Sequence, residues 1–208
     1  MNAKELIARR IAMELHDGDI VNLGIGLPTQ VVNYLPDNVN ITLQSENGFL
    51  GLTAFDPENA NSNLVNAGGQ PCGIKQGGAT FDSAFSFALI RGGHVDACVL
   101  GGLEVDQEAN LANWMVPGAK KVIIGMEHCA KSGSSKILKK CTLPLTASKK
   151  VAMVVTELAV FNFIEGRLVL KEHAPHVDLE TIKAKTEADF IVADDFKEMQ
   201  ISQKGLEL

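Results

Sequence analysis

Early in the chain a strand, a glycine loop, a helix start and a second strand follow one another, and that order constrains the fold more than any other feature. Asp19-Ile20-Val21-Asn22-Leu23 reads as a short strand, and Gly24-Ile25-Gly26-Leu27-Pro28 as a loop. Pro28 suits the first turn of a helix running through Leu35. Asn40-Ile41-Thr42-Leu43 is the next strand. Two strands joined through a helix run parallel, because a crossover of that length returns the chain in the same direction.

The pattern recurs. Ala3, Ile7, Ala8, Ile11 and Leu15 recur at helical spacing over residues 3 to 16, with Glu5, Arg9 and Arg10 off that stripe and Asp17-Gly18 as its stop. A helix is predicted over Ala79 to Arg91, closed by Gly92-Gly93. Buried strands follow at His94 to Leu100, ended by Gly101-Gly102, at Lys121 to Met126 and at Val151 to Val155. Val160 to Phe163 and Arg167 to Leu170 flank Glu165-Gly166, a hairpin signal, and Asp178 can cap a short helix over Leu179 to Thr186. The expected fold is α/β: one domain over residues 1–208, with an open, mostly parallel sheet flanked by helices, a C-terminal β-hairpin and a short helix. In such sheets ligands collect at the carboxyl ends of the strands, which here carry Gly24, Gly48 and Gly101.

Composition excludes several classes. Apolar residues make up 46% and charged residues 21% of the 208, enough for a sizeable core and against disorder. With a net charge of −6 and only one short basic run, Lys136-Ile137-Leu138-Lys139-Lys140, a nucleic-acid role is not expected. The charged N-terminus lacks the apolar segment of a signal peptide, and no apolar run reaches the ~20 residues a membrane span needs, so a cytoplasmic protein is expected. Cys72, Cys98, Cys129 and Cys141 are widely spaced and read as free thiols. His173-x-x-His176 lacks a second pair of ligands, so no metal site is expected.

Chemistry-bearing motifs are few. Gly24-Ile25-Gly26 lacks the third glycine of a dinucleotide loop, and there is no phosphate-binding G-x-x-x-x-G-K-[ST]. No serine triad is evident; Cys129 follows His128 directly, which does not place a base within reach of the thiol, and Glu127-His128 reads as structural. Glu46 stands apart. It sits in Leu43-Gln44-Ser45-Glu46-Asn47-Gly48-Phe49-Leu50-Gly51, a carboxylate between two apolar runs. Ser45 and Asn47 are placed to orient it, and Gly48 removes bulk beside it. A carboxylate so presented serves as a nucleophile or as a general base, and the residues leave both roles open.

The segments VNLGIGLPT (21–29), ITLQSENGFLGL (41–52), LVNAGGQPC (64–72), SFALIRGGHVDACVLGGLEVD (86–106), NLANWMVPG (110–118), MEHCAK (126–131) and KCTLPLT (140–146) closely resemble the B (β) subunit of 3-oxoacid CoA-transferases, in the family's order and over nearly the whole chain. The resemblance is to bacterial two-subunit enzymes acting on acetoacetate or other short-chain acids, and it implies a CoA-transferase-like sheet. It makes Glu46, the glutamate of S-E-N-G, the nucleophile of a ping-pong transfer through a glutamyl-CoA thioester. CoA esters are then substrates, and no cofactor is permanently bound. Gly24, Ile25, Gly26, Asn47, Gly101 and Gly102 become the candidates for oxyanion donors and CoA contacts, with Phe49 and Leu50 excluding water. The resemblance also implies an A (α) subunit, in an α₂β₂ assembly, supplying much of the CoA surface.

One departure stands out. The family's A-N-W-M-x-P-G segment leads into a glycine loop of the G-M-G-G-A-M-D-L type, whereas here Val116-Pro117-Gly118 joins Ala119-Lys120-Lys121 directly, with about fifteen family residues unmatched. Either the loop is deleted or a segment of the natural protein is missing from this sequence. Two other functions remain in view. A sugar-phosphate isomerase of related architecture would use Glu46 as a proton-shuttling base, and a non-catalytic CoA-binding subunit would follow from a true loss of the loop.

Overall fold

A computed structural model describes residues 1–59, 61–113 and 118–206. In chain order it contains helix α1 (Ala3–Ala12), β1 (Ile20–Leu23), a 3₁₀ helix (Leu27–Tyr34), β2 (Thr42–Ser45), β3 (Phe49–Thr53), a 3₁₀ turn (Pro57–Asn59) and β4 (Gly73–Thr80). Helix α2 (Ser83–Arg91) precedes β5 (Ala97–Leu100), β6 (Glu104–Asp106), β7 (Leu111–Ala112), β8 (Lys121–Gly125), β9 (Ile137–Leu138) and β10 (Met153–Val155). The chain then forms β11 (Ala159–Ile164), β12 (Arg167–His173), α3 (Leu179–Lys185) and β13 (Ile191–Glu198).

Among the described residues, ten strands form one sheet in the order β13-β12-β11-β10-β8-β5-β1-β2-β3-β4. The five central strands, β10 to β2, are all parallel; the hairpins β10–β11–β12 and β2–β3–β4 extend it antiparallel on either side. A small sheet, β7-β6-β9, packs its Val105, Leu111 and Ile137 into the core with Leu100, Ile124 and Phe161 of the large one. Because strand side chains alternate, one apolar run serves two cores. Val21, Val99 and Ile123 face the core beneath α1, with Ile7 and Ile11, whereas Cys98, Leu100, Val122 and Ile124 face the other, with Phe161, Leu170 and Ile182.

Most of the expected elements are present, and the exceptions have local causes. The segment expected to be helical from Ala79 begins instead with the last two residues of β4, paired with Phe49 and Leu50. The helix starts only at Ser83, where Asp82 accepts a bond from the Phe85 N–H. α1 stops at Ala12 rather than at residue 16, its last turn tightened by bonds from Met13 and Glu14 to Arg10 and Ile11 carbonyls. Arg9 and Arg10, placed by their spacing outside the apolar stripe, are buried. Arg10 forms a two-pronged pair with Glu172 (2.7 and 3.0 Å), while Arg9 stacks over Tyr34 and donates to the Ser202 and Lys204 carbonyls. Glu165 and Gly166 both take positive φ (51° and 77°), the twist of a type I′ turn, and close the predicted hairpin.

His128 is fully buried between elements. Its Nδ1 lies 3.0 Å from the Thr156 hydroxyl and its Nε2 3.0 Å from that of Thr186. Burial first, and the charge of Lys185 second, push its pKa down to about 4. The folded ring is therefore neutral where the unfolded one, titrating near 6.5, already binds a proton. Above pH 6.5 the ring makes no pH-dependent contribution. Between pH 6.5 and 4 stability falls as pH falls, by about 1.4 kcal/mol per pH unit and roughly 3 kcal/mol in all. Urea titrations across that window should show a His128→Asn variant with a flatter stability–pH curve than the parent by about that slope; parallel curves would refute the neutral buried ring.

Candidate active site

Parallel register brings the carboxyl ends of β1, β2 and β5 to one edge of the sheet. Asn22 lies level with Gln44 on one side and with Cys98 on the other. Three polar side chains thus form a row across the middle of the sheet, at 1%, 3% and 1% exposure. One residue beyond β2, the chain turns through Glu46-Asn47-Gly48 into β3, with the Gly48 N–H donating to the Ser45 carbonyl. Glu46 is half-buried and stands over the end of that row. Its Oε2 accepts a bond from Asn22 Nδ2 at 3.2 Å. The same amide nitrogen reaches Gln44 Oε1 (2.8 Å) and the Gln44 carbonyl (3.2 Å). Burial first, and the Glu46 carboxylate second, push the Cys98 thiol up to about 12, so it stays protonated and points its hydrogen at Asn22 Oδ1, 3.4 Å away.

A cavity of about 520 Å³ opens beside this edge. Its walls come from the ends of β1 and β2 (Leu23, Leu43, Ser45), the 3₁₀ helix (Val32) and the β3 end (Phe55), and Cys72 closes it. The loop supplying that last wall is pinned by Asn47, whose Nδ2 donates to the Val65 carbonyl at 2.8 Å, and by Asn66, whose Oδ1 accepts from the Gly68 and Gln70 N–H groups. No lysine or arginine lines the cavity among the described residues.

The expected site residues divide accordingly. Glu46 is where the strand-end argument places it. Asn47 does not orient the carboxylate as expected; its amide is turned to Val65 and braces the cavity loop. Gly24 is not a free donor either, since its N–H continues the sheet by bonding the Val99 carbonyl at 2.8 Å. Ile25 and Gly26 lie beyond the strand end and are exposed, Gly26 with φ +91°. The carbonyl of Gly101 accepts from Asn113 Nδ2 at 2.7 Å, and Gly102 sits so close to β8 that an added Cβ would meet Ile124 at 2.9 Å. Phe49 is buried beneath the turn, and Leu50 is half-buried. Trp114 to Pro117, from the A-N-W motif, lie outside the described residues. Asn22, Gln44 and Ser86 were not singled out from sequence. The available signal was a pair of amides, Asn22 and Gln44, interrupting apolar strands at positions that pair across a parallel sheet.

The sequence profile described as Coenzyme A transferase matches residues 4–119 and 116–185. The acetate CoA-transferase subunit beta of Haemophilus influenzae is 92% identical, covering 100% of both chains. That alignment spans 223 positions, fifteen more than the 208 residues here, and the two profile segments meet at residues 116–119, where the family's glycine loop lacks a counterpart. The acetate CoA-transferase subunit beta of Escherichia coli K12 is 64% identical over 94% of this chain and 96% of its own. Among solved structures, an acyl-CoA transferase apoenzyme from Escherichia coli O157:H7 superposes with a TM-score of 0.75 at 24% identity, over 96% of this chain; this chain spans 43% of that one. The fold expected from sequence is thus confirmed.

Gly48 carries the turn. Its φ is +119°, and a Cβ there would lie 2.0 Å from the Phe81 carbonyl oxygen, where the Phe81 N–H also bonds the Gly48 carbonyl. Gly48→Ala should cost about 3 kcal/mol or more and lower the Tm by roughly 6–12 °C. Gly101→Ala, with no atom within 4 Å of the new Cβ, should leave the Tm unchanged. Thermal melts of the two variants side by side check this; equal melting points would mean that the turn is not built as described.

Proposed function

The chain belongs to the coenzyme A transferase family, and on that premise we propose that it is the B (β) subunit of an enzyme moving CoA between an acyl-CoA and a short-chain or 3-oxo acid, with Glu46 as the covalent nucleophile. The observation that carries the assignment is the placement of Glu46. It is a half-buried carboxylate at the carboxyl end of a central parallel strand, held by one amide donor and next in sequence to Ser45, which lines a largely apolar cavity. The chemistry follows from that placement. A Glu46 oxygen attacks the acyl-CoA carbonyl, forming an anhydride and expelling the CoA thiolate. The thiolate attacks the glutamyl carbonyl, forming the enzyme–CoA thioester and releasing the first acid as its carboxylate. A second carboxylate reverses these steps and leaves as its CoA ester. Apolar walls slow hydrolysis of the anhydride.

The cavity bears on the substrates. An acyl group with a second carboxylate would meet no cation on this chain's walls, among the described residues, and burying an unpaired charge is costly. Acetyl-CoA is therefore favoured over succinyl-CoA as donor, with acetoacetate and other short-chain acids as acceptors. The partner is an A (α) subunit, in an α₂β₂ assembly in the cytoplasm. Among the described residues no helix is long and apolar enough to cross a membrane. The isomerase alternative is not favoured, because the relatives are CoA-transferases. The reading of a CoA-binding subunit without turnover is tested directly below.

With the A subunit co-expressed, acetyl-CoA should leave a CoA-sized adduct on the peptide that contains Glu46. Glu46→Ala should lose the adduct and roughly 10³-fold or more in kcat. Label on another peptide, or normal turnover in Glu46→Ala, rejects the nucleophile; CoA binding without turnover in the parent complex supports the non-catalytic reading instead. In the same complex acetyl-CoA should exceed succinyl-CoA in kcat/KM by at least about tenfold, a difference of ~1.4 kcal/mol. A preference for succinyl-CoA would show that a cation reaches the cavity from elsewhere.

A further inference from the structure

The hydrogen bonds behind Glu46 have a direction that can be deduced, and it begins on helix α2. Ser86, fully buried, donates its hydroxyl proton to the Ser45 carbonyl at 3.0 Å. Its oxygen is then an acceptor for Gln44 Nε2 at 2.7 Å. Gln44 Nε2 also lies 3.1 Å from the Ser45 carbonyl, where an amide oxygen would face an acceptor. With its nitrogen fixed on this side, Gln44 presents its Oε1 to Asn22. Only the amide nitrogen of Asn22 fits there. A flipped Asn22 would set its oxygen against Gln44 Oε1, the Gln44 carbonyl and Glu46 Oε2, three acceptors at 2.8–3.2 Å. The Cys98 thiol favours the same orientation, since it donates to Asn22 Oδ1 from the opposite side.

We infer that Asn22 is a catalytic residue of the transfer, an amide N–H donor fixed on Glu46 Oε2, and that Gln44 and Ser86 are the positioning residues that fix it. The inference rests on Glu46 being the nucleophile. With Oε2 held, Oε1 is the attacking oxygen. In the anhydride Oε1 carries the acyl group, and Oε2 is the carbonyl oxygen of the glutamyl side. When the CoA thiolate attacks, a C–S bond forms and the carbonyl electron pair moves onto Oε2. Collapse of that intermediate breaks the bond from the glutamyl carbon to Oε1 and releases the first acid as its carboxylate. Asn22 therefore donates to the oxyanion of each intermediate centred on the glutamyl carbon, while those centred on the acyl carbon draw on other donors. A preset donor of this kind stabilises developing charge without reorganising.

The measurement is the single-turnover rate of glutamyl-CoA thioester formation from acetyl-CoA, in the complex with the A subunit, beside the Kd for acetyl-CoA. Asn22→Ala should slow thioester formation by about 10²–10³-fold, the usual loss for one oxyanion donor, with the Kd changed less than about threefold. Asn22→Asp should be slow at neutral pH and recover as pH falls and the new carboxyl gains a proton. Ser86→Ala should slow the step by about tenfold, and Ser86→Thr, which keeps the hydroxyl, should restore it. This pair decides the matter even if Asn22→Ala fails to fold. A rate within threefold of the parent in Asn22→Ala, or in Ser86→Ala, would overturn the inference. If Glu46→Ala still abolishes labelling in that case, the nucleophile stands and only the donor relay falls. If Glu46→Ala labels normally, both fall together.

Discussion

The site depends on the register of one four-residue strand. β1 is paired on both edges, with β2 and with β5, and both pairings are parallel. That places Asn22 level with Gln44 and Cys98, and sets the end of β1 beside the turn that carries Glu46. Strand side chains alternate faces, so a slip by one residue would move Asn22 under α1, among Ile7, Ile11 and Val99, with no partner for its amide. Burying an unpaired amide costs about 1–3 kcal/mol, and here the row as a whole would be broken. The polar row therefore penalises wrong registers and assembles the site in the same step. Apolar strands buried on both faces would tolerate slippage more readily; three polar positions that must meet do not.

The other strong constraint ties the chain's two ends together. Arg10 reaches from α1 to Glu172 on β12, and Arg9 reaches the carbonyls of Ser202 and Lys204 near the C-terminus. Breaking one partner of a buried pair typically costs 3–5 kcal/mol, more than the pair contributes over an apolar substitute, so such a network fixes geometry more than it adds stability. Its consequence here is positional. α1 packs on Gly125 of β8 through Ile7 and Ile11, where an added Cβ would stand 2.7 Å from Ile11. The same helix meets the 3₁₀ helix of the cavity wall through the Arg9–Tyr34 stack. The wall containing Val32 is thus held from behind by contacts that begin at the other end of the sequence.

Much of this was legible in the sequence, and the remainder was hidden for identifiable reasons. β5 and β8 declared themselves because strands buried on both faces are continuously apolar, and β1 and β5 end at glycines, Gly24 and Gly101. Glu46 was legible because a charge there breaks the pattern. The antiparallel wing β3–β4 was not: its Gly73–Thr80 stretch carries three glycines and a lysine, and it pairs with β3 across the long connection of residues 54–72. β13 alternates weakly and contains two aspartates, one of them paired with Lys171 across to β12. Arg9 and Arg10 were placed off the apolar stripe by their spacing and charge, and only their distant partners show that they are buried. The direction of the Asn22 amide was beyond sequence altogether, since it follows from matching donors to acceptors around Ser86, Gln44 and Asn22 in three dimensions.

The cavity also limits what this chain does alone. CoA carries a diphosphate and a further phosphate on its nucleotide, and holding them takes cations or converging N–H donors. This chain has a net charge of −6, its only clustered basic run is Lys136 to Lys140, and the cavity beside Glu46 has no lysine or arginine among the described residues. What it offers is an apolar chamber, an oriented carboxylate and glycine-edged loops, the fittings for the acyl and thioester end of the substrate. The nucleotide end needs a second surface of opposite charge. On the proposed reading that surface belongs to the A subunit, and the division is chemically reasonable. A carboxylate nucleophile close to fixed cations would be stabilised and less reactive, so separating the charges that bind from the carboxylate that attacks keeps Glu46 nucleophilic.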